Sequence, residues 1–66
     1  MELKEVQNKL LRQLEEAAYI YYTDAVDTRY NLGYLTSMND ACILAGIGSE
    51  VVLRTKISGQ RRAGAD

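Results

Sequence analysis

Leu3, Val6, Leu10, Leu14, Ala17 and Tyr21 recur at steps of three and four residues, and Leu11, Ala18 and Ile20 widen the stripe they form. This is the period of an α-helix with one apolar face. Lys4, Glu5, Asn8, Lys9, Arg12, Glu15 and Glu16 fall on the opposite side. The pattern predicts an amphipathic helix over about residues 2–22, with Leu10 and Leu14 central to its packing face. Glu5 precedes Lys9 by four residues, the favourable order for a helical ion pair, worth about 0.2–0.5 kcal/mol. Gln7 and Asp24 interrupt any strict heptad, so a broad bundle face is expected rather than a coiled-coil seam.

"TDAVDT" follows, rich in residues that favour caps and turns over helix interiors. Asp27 is placed to cap a second helix beginning at Thr28. In the next stretch, "YNLGYLTSMNDACILAG", Gly33 is open to two readings. It can end one helix, with Ser37 and Asp40 opening the next in a capping-box spacing. It can also lie inside a single helix. Gly33, Ser37, Ala41 and Ala45 are each four apart, so on one helix they form a continuous strip of small side chains that admits another backbone closely. A glycine in a helix interior costs about 1 kcal/mol relative to alanine, little against packing over several turns. The spacing favours one helix over about residues 28–45.

Gly46 and Gly48 then read as a stop. "SEVVLRTKI" is ambiguous: Val51, Leu53, Thr55 and Ile57 alternate as in a strand, yet Ser49 can cap a helix in which Leu53 and Ile57 stand four apart. No second strand is available for pairing, which tips the expectation to a short helix. "SGQRRAGAD" shows no periodicity. The expected organisation is a single helical domain over 1–58 and a flexible basic tail over 59–66. The fold class expected is all-α: a helical hairpin with a short C-terminal element, assembling as a dimer or larger bundle that hides stripes one hairpin cannot cover.

Length sharpens that last point. A 66-residue chain buries only about 60% of the surface it exposes when unfolded. Small domains recover stability from disulfides, metals or association. A single Cys and no His leave association as the open route. The N-terminus carries charges at positions 2, 4 and 5 with no apolar run behind them, unlike a signal peptide. The apolar runs "AAYIYY" and "ACILAGIG" are far shorter than the ~20 residues a membrane span needs. With the lone thiol, these features point to the cytoplasm and away from membranes.

Residues 1–50 carry four basic and eight acidic side chains, a net of −4, whereas residues 51–66 carry four basic and one acidic, a net of +3. Four cations on an otherwise acidic chain argue against nucleic acid as a partner. Catalysis has little material: Cys42 has no His to activate it and lies in an apolar run, as an inert buried thiol does. Glu15 and Glu16 are adjacent and diverge on a helix, and Asp24 and Asp27 are explained by capping. No metal site, cofactor motif or catalytic set is expected.

The five tyrosines are the most suggestive chemistry. Tyr19 and Tyr22 close the first helix while Tyr30 and Tyr34 open the second, so a hairpin is expected to bring both pairs around one turn. Clustered tyrosines supply rigid contact area with polar tips. Arg54, Lys56, Arg61 and Arg62 are the candidate cations beside them. Two functions follow as expectations. The first is a homo-oligomeric, non-enzymatic protein that regulates or inhibits another protein, a size common among small regulators of phages and mobile elements. The alternative is binding of a nucleotide-like ligand between tyrosines and basic side chains at a subunit interface.

Overall fold

The computed structural model describes residues 2–64, which form three helices and no strand. Helix α1 spans Leu3–Thr23, α2 spans Thr28–Leu44 and α3 spans Ser49–Arg62. The chain is all-α, as its periodicity predicts. Helix α2 runs through Gly33 without a break, and the Ser37–Asp40 spacing caps nothing.

Helix α1 packs against both other helices, which touch each other far less. At one end of α1, Gln7 Nε2 donates to the Ala45 carbonyl at 2.8 Å. At the other end, Asn31 Nδ2 donates to Asp24 Oδ2 at 3.1 Å. These two bonds fix α1 and α2 as antiparallel along their length. Helix α3 then returns in the direction of α1, its last turn reaching Glu15 and Glu16. The longest dimension of the molecule, 36 Å, is therefore close to the length of α1, about 31 Å at 1.5 Å per residue.

The core lies where the three helices meet. Leu14, Ala17, Met38, Cys42, Ile47 and Val52 are buried, with Leu10, Leu11 and Leu35 packed partly buried against them. Leu14 and Cys42 are the largest side chains fully removed from solvent. A core so short of large side chains leaves stability at the low end of the usual 0.05–0.15 kcal/mol per residue.

Each connection has an identifiable cause. Asp24 ends α1, and its Oδ1 accepts the Val26 backbone N–H at 2.9 Å while Oδ2 holds Asn31. Asp27 occupies the N-cap position of α2 but makes no capping bond with its side chain; Asp24 instead ties the turn to the first turns of α2 through Val26 and the Asn31 side chain. At the end of α2, Gly46 adopts φ +85°. Its N–H bonds to the Ile43 carbonyl at 3.0 Å and that of Ile47 to the Cys42 carbonyl at 3.1 Å. This Schellman pairing turns the chain and drops Ile47 into the core.

The C-terminal element departs most from expectation. It is a full helix of 14 residues whose N-cap is Gly48, not Ser49. It also continues through residues 59–62, expected to begin a flexible tail. Gly59 explains the difference. It is buried, and a Cβ built there would lie 2.8 Å from the Ala18 Cβ and 3.1 Å from the Tyr19 nitrogen. The missing side chain lets α3 lie directly on α1, and that contact holds the last turn in register. Residues 65–66 of the expected tail lie outside the described residues.

Candidate interaction surfaces

The junction of α1 and α3 gathers the polar side chains. Ser58 Oγ donates to Glu15 Oε1 at 2.6 Å. Arg62 Nη1 donates to Glu15 Oε2 at 2.9 Å and to Glu16 Oε2 at 3.3 Å. The Arg62 guanidinium also stands over the Tyr19 ring, 4.7 Å from its centroid. The hydroxyl of Ser58 and the cation of Arg62 hold the Glu15 carboxyl below its usual range, and the two carboxylates push Arg62 up. Arg54, Ile57, Ser58, Arg61 and Arg62 line a shallow depression of about 660 Å³ on this side. Arg62 is thus committed to an intramolecular clamp, and two carboxylates stand beside the place where an anion would have to settle.

The tyrosines do not converge as expected. Tyr19 faces Arg62 on the α3 side. Tyr21 and Tyr22 meet edge to face, centroids 5.0 Å apart, and line a groove with Ala18 of α1, Leu32 and Leu35 of α2, and Leu53 and Ile57 of α3. Tyr30 and Tyr34 belong to a separate depression of about 420 Å³ with Arg29, Gly33 and Ser37. The physical reason is helical phase. Asn31, Met38 and Cys42 turn inward, which carries Tyr30 outward and away from the first pair.

That inward set also relocates the small-residue strip. Gly33 and Ser37 are exposed, Ala41 and Ala45 are half-buried, and a Cβ on Gly33 would meet nothing within 4 Å. Within the chain, the close-contact glycine is Gly59. Leu14 is fully buried and Leu10 partly so.

An apolar groove lies between α2 and α3. Because those helices diverge while both rest on α1, they leave a groove of about 350 Å³ floored by Ala18, Tyr21 and Tyr22. Leu32 and Leu53, on its two walls, are 47% and 54% exposed. Lys56 stands at this groove and at the adjoining depression lined by Leu32, Leu35, Thr36 and Asn39. Sequence reasoning paired Leu53 with Ile57 but could not see that both would border an open groove. Nor did it single out Leu32, whose exposure follows only from the phase of α2.

Cys42 is fully buried, and burial raises its thiol pKa, which suppresses the thiolate a nucleophile needs. Among the described residues no group of His, Cys, Asp and Glu is arranged to hold a metal ion. No helix there is long and apolar enough to cross a membrane. Compared with protein-family models, with curated proteins and with solved structures, the chain matches none.

Proposed function

We propose that this is a small, non-enzymatic, self-associating interaction protein that binds another protein and thereby regulates or inhibits it, in the cytoplasm. The observation that carries the reading is the groove between α2 and α3, where Tyr22, Leu32 and Leu53 remain exposed. The total accessible surface is 4612 Å², against about 4,200 Å² for a typical monomer of this mass. Incomplete cover is what an interaction module presents before it binds.

Shape and charge define the partner's chemistry. Three helices, two of them splayed on the third, leave room for a fourth, which completes a four-helix bundle. A groove apolar along its walls, with Lys56 at its edge, fits an amphipathic helix whose apolar stripe is flanked by Asp or Glu. The buried thiol of Cys42 suits a reducing compartment.

The test compares capture of host proteins by the wild type with capture by Leu32→Asp and Leu53→Asp, each checked for helix content by circular dichroism. A protein retained by the wild type and lost with both folded variants supports the reading. Retention unchanged in both overturns it. A nucleotide that raises the melting temperature, an effect abolished in Arg61→Ala, would replace it with ligand binding at the basic side.

A further inference from the structure

Helix α2 has two sides, and the core uses one of them. Asn31, Met38 and Cys42 are buried. Opposite them, at helical steps of three and four, Arg29, Gly33, Thr36, Ser37 and Asp40 are all exposed. Tyr30 and Leu44 flank this outer face at 74% and 88% exposure. Arg29 and Asp40 are the only charged residues in the 17 of α2, and among the described residues neither has an ion-pair partner. A surface helix ordinarily carries charge along its solvent side. This one carries a nearly neutral face with a single charge of opposite sign toward each end.

We propose that this outer face of α2 is a two-fold interface with a second copy of the chain, the two α2 helices antiparallel so that Arg29 of each pairs with Asp40 of the other. The inference rests on the self-association put forward above and deepens it by naming face and register. In an isologous antiparallel pair, facing positions have residue numbers of constant sum. Pairing 29 with 40 sets that sum and thereby brings Gly33 opposite Thr36. The charges then stand about 16 Å apart along each helix, three turns, and form two symmetric ion pairs. Between them lie the smallest side chains of the face. Gly33, with nothing within 4 Å, allows the second backbone close. The depression lined by Arg29, Tyr30, Gly33, Tyr34 and Ser37 gives side chains of the second copy room to enter. Charge complementarity selects a second copy over a foreign helix here, because the face supplies both members of its own ion pair. The α2–α3 groove remains open on another side of α2.

The experiment is sedimentation equilibrium on the wild type, Arg29→Asp, Asp40→Arg, the double reversal and Gly33→Leu, with circular dichroism on each. All three substituted positions, 29, 33 and 40, are solvent-exposed on a helix whose core side is untouched, so helix content is expected to persist. Each single reversal places like charges together twice per dimer and is expected to raise the dissociation constant by about tenfold or more. The double reversal restores it to near the wild-type value, and Gly33→Leu weakens association without loss of helix. A wild type that associates while the single reversals leave its dissociation constant unchanged overturns this interface and leaves self-association standing. So does a double reversal no better than the singles. A wild type monomeric at millimolar concentration overturns the self-association itself.

Discussion

Gly59 and Gly33 both lie within helices and have opposite consequences. At Gly59 a methyl group would press on Ala18 and on the α1 backbone, which cannot yield as a flexible side chain can. Alanine gains about 1 kcal/mol in helix propensity, but overpacking a close contact costs typically about 1–3 kcal/mol. Gly59→Ala is therefore expected to lower stability on balance, read as a lower urea midpoint at unchanged m. Gly33→Ala meets open space within the chain, so at dilutions where the protein is monomeric it should gain up to about 1 kcal/mol. The sequence showed Gly33 because its small neighbours lie on the same helix, four residues apart. The counterpart of Gly59 is Ala18, 41 positions away on another helix. No local periodicity records such a pair.

At the scale of the elements, α1 and α2 were legible because their apolar and small residues repeat with the helical period inside one window. The fate of α3 was not. Its Val51, Val52, Thr55 and Ile57 favour strands, and its inward face is marked by Val52 and Gly59, seven apart, of which glycine does not register as apolar. What holds both neighbouring helices to α1 is polar as well as apolar: the Asp24–Asn31 bond at one junction and the Ser58–Glu15–Arg62 set at the other. Both carboxylates are held below their ordinary values. For Asp24 the cause is the Val26 N–H and then Asn31, for Glu15 the Ser58 hydroxyl and then Arg62. A carboxylate with a lowered folded-state pKa stabilises fully above its unfolded value, about 4, and loses that contribution as pH falls through the folded one. The melting temperature is expected to be level from neutral pH down to about 5 and to fall below about 4. In the Asp24→Asn, Glu15→Gln double variant the acid decline should be shallower from a lower starting point. An unchanged decline would assign it to other groups.

For the whole molecule, a small core and a surplus of surface are one fact seen from two sides. Leu14 and Cys42 are the largest fully buried side chains, so Leu14→Ala, at about 2–5 kcal/mol, is expected to remove most of the stability of a 66-residue chain. Most of the uncovered large apolar positions sit on α2 and α3, with Leu3 and Tyr22 exposed on α1 and Val26 in the turn. Covering them by the proposed association would add stability by mass action, because copies would bind the folded chain and not the unfolded one. The melting temperature of the wild type should then rise with protein concentration, by several degrees over about a hundredfold range, since about 1 kcal/mol moves the midpoint of so small a domain by about 4–8 °C. Leu14→Ala should show the dependence more strongly, being folded only where association holds it. A midpoint independent of concentration, in a protein of monomeric mass, would mean that the three helices stand alone with their groove and outer face uncovered.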